Sequence, residues 1–318
     1  MKILFITNML PVPDYAYFGI HVQEQIEALS KNFSIEREIF FINGRQSKLN
    51  YFKSIFALRK KINQSTFDII HIHYGIAGLF LLFCKPNMPV ILTLHSGEIY
   101  QKKKYLNHII QKKLTFAIAK KANKIIVLND DMLRIMKRFA HKLVKIPCGI
   151  NTHFFKPIES IQDRVSYTIG FPGNKARPEK NYALFIEIIN ILQKKYSIDI
   201  IEFHNMSRVQ VLEAMHTIDI LCMTSTIEGS PQIIKEAMAC NIPIVSTAVG
   251  DVEDLLHEVQ NAYIIHSFTA KDFVEKIEGI LLLSKTERIS NGRKKLEYMQ
   301  LDEQAVAQKI YQLYQTLL

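Results

Sequence analysis

The 318-residue chain lacks the features that mark several common protein classes. Its four cysteines, Cys84, Cys148, Cys222 and Cys240, are scattered through apolar stretches, and no Cys-x-x-Cys pair occurs. That spacing excludes a zinc ribbon and a disulfide frame, and points to buried thiols in a reducing compartment. Long hydrophobic runs are missing too. The most lipid-like stretch, Gly75 to Cys84, stops at Lys85, well short of a bilayer span. The opening Met1-Lys2-Ile3-Leu4-Phe5-Ile6 is interrupted at Asn8 with no small-x-small cleavage site, so it reads as a first strand and not a signal peptide. Repeats, low-complexity segments, zinc-finger spacings and aromatic RNA-binding motifs are all absent, which argues against a nucleic-acid partner.

Acid is scarce in one half. Residues 1–155 hold 23 Lys and Arg against 9 Asp and Glu, whereas residues 156–318 hold 17 against 21. The net charge of +10 therefore belongs to the first half, in clusters at Arg59-Lys60-Lys61, Lys102-Lys103-Lys104, Lys112-Lys113 and Lys120-Lys121. Such clusters attach proteins to anionic lipid at about 1 kcal/mol per residue. The expectation is a cytoplasmic protein, peripheral on the inner face of the membrane.

What is present is a soluble globular composition, 48% hydrophobic and 22% charged, long enough for two domains. Short apolar runs alternate with helical patterns, which predicts an α/β protein with parallel sheets. Strands are expected at 2–7, 35–42, 69–72, 90–94, 124–127 and 143–146, and helices near 20–30, 51–63, 77–83, 105–121 and 130–139. After a boundary at Pro147-Cys148-Gly149-Ile150-Asn151 the pattern restarts. Strands are expected at 168–171, 198–203, 219–224, 243–246 and 262–265. Helices are expected at 182–195, 208–216, 251–257 and 271–283, with a helical tail over 284–318.

The most informative segment is Ser225-Thr-Ile-Glu-Gly-Ser-Pro-Gln-Ile-Ile-Lys-Glu236. It reads as strand end, turn and helix, with Ser230 as the N-cap and Pro231 in the first helical position. Ile233, Ile234, Ala237 and Met238 fall on one face of that helix, and Gln232, Lys235 and Glu236 on the other. Amides and a helix dipole at the carboxyl end of a strand make an anion site, bracketed here by Glu228 and Glu236. A phosphate flanked by hydroxyl-bearing groups fits that arrangement, which is the shape of a nucleotide sugar.

With seven residues between them, Glu228 and Glu236 resemble the Glu-x7-Glu signature of glycosyltransferase family 4, retaining enzymes of the GT-B fold. The surrounding Glu-Gly-Ser-Pro, Glu-Ala-Met-Ala, Pro-Ile-Val-Ser-Thr and Gly-Asp strengthen the likeness, as does Pro147-x-Gly149-Ile-Asn…Phe155-x-Pro157. The resemblance implies two Rossmann-like domains with parallel sheets facing a central cleft. Residues 1–155 would bind the acceptor, residues 156–300 the nucleotide sugar, and residues 301–318 would form a helix crossing back to the first domain. It assigns Glu228 and the segment Gly229, Ser230, Pro231 and Gln232 to the donor sugar and diphosphate, and Glu236 to the ribose.

The same family carries an Arg and a Lys, five residues apart, that grip the diphosphate. Lys180 matches the Lys. Counting back five gives Lys175, with Arg177 as the alternative and the better fork for a diphosphate. The wording Arg177-Pro-Glu-Lys180-Asn resembles the teichuronic acid and surface-polysaccharide subgroup, so Arg177 and Lys180 are the expected pair. Gly19, after the first strand, would let backbone approach a diphosphate closely. His95, in His-Ser-Gly-Glu, resembles the family's segment near the donor sugar, while His21, His71 and His73 read as structural or acceptor-side. No Asp-x-Asp motif occurs, so no metal and no cofactor are expected.

The predicted activity is transfer of a sugar from a nucleoside-diphosphate sugar to a surface-polysaccharide or glycolipid acceptor, glycan or lipid-linked. A catalytically silent partner subunit and a sugar-nucleotide epimerase of the same fold are the alternatives.

Overall fold

Strands that are buried on both faces must be apolar throughout, and parallel pairing then requires helices on each side of the sheet. The first half of the chain forms β1 (Lys2–Thr7), β2 (Glu36–Phe41), β3 (Ile69–His73), β4 (Val90–Thr93), β5 (Lys124–Val127) and β6 (Leu143–Lys145), of which the central four come near that rule and the edge strands β2 and β6 stay partly exposed. Every residue of β3 and β4 is buried. The computed structural model describes residues 1–13, 15, 17–100, 106–158 and 166–318. Within them the chain forms two compact units, Met1–Gly149 with Glu303–Leu318, and Ile150–Asp302.

In the first unit all six strands pair in parallel, in the order β2-β1-β3-β4-β5-β6. The connecting helices are α1 (Ile20–Asn32), α2 (Asn50–Gln64), α3 (Leu106–Lys121) and α4 (Asp130–Ile135). Two expectations change here. The helix expected at 77–83 is a 3-10 segment, Gly75–Leu82. It lies so close to α3 that a Cβ on Gly75 would meet Thr115 Oγ1 at 2.3 Å. The helix expected at 130–139 stops at Ile135, because Met136 leaves the helical region, and a 3-10 segment, Lys137–Lys142, follows.

The second unit repeats the logic with β7 (Tyr167–Pro172), α5 (Tyr182–Leu192), β8 (Ile198–Phe203), α6 (Arg208–Met215), β9 (Ile220–Met223) and α7 (Gln232–Ala239). It continues with β10 (Ile244–Thr247), α8 (Val252–Leu256), β11 (Ala262–Ile265), α9 (Ala270–Leu281) and α10 (Gly292–Tyr298). Its parallel sheet runs β11-β10-β9-β7-β8. The core beneath it joins Phe171, Phe185, Ile188, Cys222, Val245, Phe273 and Ile277.

The continuous helical tail expected at 284–318 is broken. Gln300 adopts a left-handed φ of 52° and Leu301 N–H bonds the Leu296 carbonyl, which closes α10 before α11 (Glu303–Gln315) begins. The last helix belongs to the first unit. There Tyr311 stacks on Phe33 at 4.2 Å, and the Tyr314 hydroxyl lies 2.6 Å from His71 Nδ1. His71 Nε2 lies 2.7 Å from Thr93 Oγ1, so a neutral imidazole serves both hydroxyls in a fully buried place.

Strand order decides where a site can form. The first strand of each sheet has its two successors on opposite sides, between β1 and β3 in one unit and between β7 and β9 in the other. Connections diverge at such a point and leave a crevice beyond the carboxyl ends of the strands.

Removing the Tyr314 hydroxyl should leave a buried ring nitrogen unpaired. Tyr314→Phe is expected to destabilise the first unit by about 1–3 kcal/mol, read by urea denaturation. Burial pushes His71 down to about 3 from its ordinary value. Its contribution is therefore complete above about 6.5 and is lost as pH falls below that, because the unfolded chain takes the proton first. Glu98, raised by burial to about 7, acts in the opposite sense between about 7 and its ordinary value of 4.5. His71→Asn should accordingly lose less stability than the wild type between pH 7.5 and pH 5.

Candidate functional site

At the crevice of the second unit, β7 feeds a loop of basic residues and β9 feeds the turn into α7. The loop is fastened to the strand exit by backbone and hydroxyl contacts. Thr226 N–H bonds the Glu179 carbonyl at 2.8 Å, and Thr224 Oγ1 reaches the carbonyls of Lys180 and Asn181 at 3.1 Å each. Asn181, with φ of 51°, turns the chain from that loop into α5.

Those fastenings bring Lys180 Nζ to 2.6 Å from Glu228 Oε1, with both side chains largely buried. Ser225 Oγ donates to the same carboxylate oxygen at 2.8 Å. Gly173 makes room for the lysine stem: its φ is +111°, and a Cβ there would stand 2.7 Å from Lys180 Cε. The turn itself is wedged by Gly250, whose φ is +63° and whose Cβ would meet the Gly229 carbonyl oxygen at 2.4 Å. Glycine is demanded at 250 by both conformation and space.

Several expected residues behave otherwise than the sequence suggests. Ser230 is not the N-cap of the helix. α7 begins at Gln232, Pro231 occupies the cap, and no side chain caps it. The Ser230 hydroxyl instead donates to Asp251 Oδ2 at 2.5 Å. The face of α7 expected to be polar is not solvated, since Lys235 and Glu236 are buried beside Ile234, Ala237 and Met238.

Arg177 does not join the Lys180–Glu228 pair. Its Nε donates to Glu179 Oε1 at 2.8 Å in an exposed position, and Lys175 is committed to Glu202 at 3.2 Å.

Two basic residues that the motifs did not flag are in the site. Arg208 Nη1 bonds Glu236 Oε1 at 2.6 Å, and its guanidinium lies 4.5 Å from the Phe155 ring centroid. Lys235 is the other. The sequence held one clue to the first: an arginine at the opening position of α6 opposes the helix dipole, which calls for a specific anionic partner. Nothing in the sequence distinguishes Lys235 from a solvated helix lysine.

The first unit has its own convergence of polar groups at its crevice. Gly19 opens α1 with φ of +70°, and its missing side chain allows the Met9 carbonyl to approach where a Cβ would sit at 2.3 Å. His21 Nε2 lies 2.9 Å from the Tyr74 hydroxyl, across the β1–β3 reversal. His95 Nε2 lies 3.2 Å from His73 Nδ1, its backbone N–H donates to Glu98 Oε1 at 3.0 Å, and its ring lies 4.3 Å from that of Tyr74. Burial and the neighbouring imidazoles hold His73 and His95 well below the ordinary histidine range, so both are neutral at pH 7. Tyr74 and Ser96 flank these groups with left-handed φ of 71° and 83°, a strain that clusters at functional sites.

The basic clusters Arg59-Lys60-Lys61, Lys112-Lys113 and Lys120-Lys121 lie on α2 and α3. The Lys102-Lys103-Lys104 cluster lies outside the described residues. Among those described, no helix is long and apolar enough to cross a membrane.

Comparison with known proteins agrees with this geometry. Residues 21–154 match the model of Glycosyltransferase Family 4, and residues 190–295 that of Glycosyl transferases group 1. An uncharacterized glycosyltransferase of Methanocaldococcus jannaschii is 23% identical over 72% of this chain and 70% of its own length. A probable sucrose-phosphate synthase of Thermosipho melanesiensis is 22% identical over 80% of this chain and 73% of its own. Among solved structures, sucrose-phosphate synthase from Thermosynechococcus elongatus superposes with a TM-score of 0.82 at 17% identity, covering 99% of this chain and 98% of that one. HepE of Anabaena, solved with UDP, gives 0.74 at 15% identity with full coverage of both chains. Paired parallel-sheet Rossmann-like halves, a Glu228–Glu236 turn at the switch point of the second, and both family matches make this chain a family 4 glycosyltransferase of the GT-B fold, an enzyme that uses a nucleotide sugar.

Proposed function

We propose that this enzyme moves a sugar from a nucleoside-diphosphate sugar to a surface-polysaccharide or glycolipid acceptor, with retention at the anomeric carbon and without a metal ion. The observation that carries the reading is the Lys180–Glu228 pair at the entry to α7, with Glu236 held by Arg208 further along the same helix. Departure of a nucleoside diphosphate builds negative charge on the leaving oxygen, and preorganised donors must meet it. In this proposal Lys180 and the amides of the Gly229–Gln232 segment do so, Glu228 receives sugar hydroxyls and Glu236 receives the ribose. Arg177, whose pair with Glu179 is exposed and weak, is the second cation proposed for the diphosphate beside Lys180. The domain expected at 156–300, which the structure bounds as Ile150–Asp302, holds the donor, and that expected at 1–155, bounded as Met1–Gly149 with Glu303–Leu318, the acceptor; neutral His95 suits a hydroxyl of the donor sugar.

The acceptor side of the reading is a cytoplasmic enzyme resting on the anionic inner face of a membrane. Neither α2 nor α3 contains an Asp or Glu, and both pack against the Gly75–Leu82 segment. On α2, Phe52 and Phe56 are 61% and 76% exposed, one helical turn apart, and Lys53, Arg59 and Lys60 are exposed around them. Aromatic side chains set among cations suit the headgroup boundary of an anionic bilayer.

Four measurements test these points. A thermal-shift panel of UDP-, GDP-, ADP- and dTDP-sugars, run with and without EDTA, should single out one base, stabilised by about 2.7 kcal/mol at 100 times its dissociation constant. A flat panel from a well-folded sample would remove the donor assignment. Lys180→Ala and Glu228→Ala should each lower kcat/KM by about a hundredfold or more when assayed below the onset of unfolding, which the loss of one partner from a largely buried pair also brings to a lower temperature. NMR of the product should show the anomeric configuration of the donor, and inversion would refute retention. On vesicles containing phosphatidylglycerol, Arg59→Glu with Lys60→Glu should weaken binding by about 2 kcal/mol, some thirtyfold. Phe52→Ser with Phe56→Ser should weaken it as well, and unchanged sedimentation of both variants would leave α2 an ordinary surface.

A further inference from the structure

The ammonium of Lys235 has no part in the pairs discussed so far. It lies on α7 with no solvent exposure, one residue before Glu236 and between the core side chains Ile234 and Ala237. A buried ammonium is strongly unfavourable unless hydrogen-bonded, so its partners show what keeps it there. Lys235 Nζ donates to Ser230 Oγ at 2.5 Å and to Gln232 Oε1 at 3.4 Å, reaching back along the helix to the turn that precedes it. The Ser230 hydroxyl passes the contact on to Asp251 Oδ2 at 2.5 Å. Asp251 is buried in the loop after β10, where burial raises its carboxyl above the ordinary range and the charge of Lys235 works against that rise.

One chain of contacts thus joins three segments: the first turns of α7, the turn before it and the loop after β10. The neighbour of Asp251 is Gly250, whose missing side chain lets the same loop press against the Gly229 carbonyl. The Gly229–Gln232 segment is therefore held from two directions, by Gly250 beneath Gly229 and by Lys235 and Asp251 through Ser230. Apart from Glu236, which Arg208 holds, the other buried residues of α7 are apolar, and a leucine at 235 would form none of these bonds.

We propose that Lys235 is a positioning residue of the donor site, fixing through Ser230 and Asp251 the segment whose amides receive the nucleotide's diphosphate. This rests on the donor assignment above. The consequence is selective: loss of Lys235 loosens the diphosphate contacts and leaves the ribose contact at Glu236 in place, since Arg208 holds that carboxylate independently.

The test is titration calorimetry of the wild type, Lys235→Met, Lys235→Arg and Ser230→Ala with UDP, GDP, ADP and dTDP, and competition with the matching nucleoside. Lys235→Met should weaken the preferred nucleoside diphosphate by about 10–100-fold, the range for outer supports of a binding group. The nucleoside should bind within about twofold of the wild type, because its own contacts are unchanged. Lys235→Arg should recover part of the loss, and Ser230→Ala should show a smaller loss of the same selectivity. Wild-type diphosphate affinity in Lys235→Met overturns the proposal, and so does an equal loss for nucleoside and diphosphate. Should Lys235→Met fail to fold, unchanged diphosphate affinity in Ser230→Ala overturns it. A wild type that binds no nucleoside diphosphate overturns the donor assignment and this inference together, whereas normal binding with unaffected variants overturns this inference alone.

Discussion

The second unit is organised around keeping buried charge in balance. Lys180 with Glu228, Arg208 with Glu236, and Lys235 with Asp251 through Ser230 all gather at one end of one parallel sheet. Desolvating any of these groups alone would be prohibitive, so each basic group fixes the place of an acidic one. The backbone is shaped to permit these meetings. Gly173 clears the path of the Lys180 stem, and Gly250 brings the loop after β10 under the turn. Thr224 and Thr226 fasten the loop after β7 to the exit of β9.

The first unit solves a related problem with neutral groups. Imidazoles at 71, 73 and 95 lie close together, and burial holds all three uncharged, with repulsion from neighbouring imidazoles adding to it at His73 and His95. His71 links β3 to the final helix through Tyr314, so the end of the chain helps to complete the core beneath the crevice. A charged ring at any of these positions would be unsatisfied, which makes this half sensitive to acid.

Strand positions were legible because the central strands are short apolar runs bounded by turn residues, and the edge strands β2 and β8 keep enough apolar residues beside their charges to be read. Pairing of Lys180 with Glu228 was legible only through motif wording, since 48 residues separate them. Capping geometry was misread: Ser-Pro before an apolar run looks like an N-cap and first helical residue, but Asp251 competes for the Ser230 hydroxyl. Tertiary partners also account for the misplaced face of α7. Periodicity places Lys235 and Glu236 opposite Ile234, yet no local pattern reveals that Ser230 and Arg208 wait there. The contact between Arg177 and Glu179, only two residues apart, was likewise not singled out by the motif wording. Helix ends at 75–82 and 136 shifted for a different reason, close packing on α3 and a backbone that leaves the helical region.

Charge balance in the second unit also bears on how fast a donor can arrive. Residues 150–302 carry 16 basic against 20 acidic groups, and the cations of the crevice already face carboxylates. A nucleotide sugar is itself an anion, so no long-range field from this half draws it in. Whatever steering an anionic donor receives must come from the basic first half of the chain, and its dependence on ionic strength is that half's alone. Selectivity then resides in how long a donor stays, which the geometry of the turn controls, and not in how often it arrives.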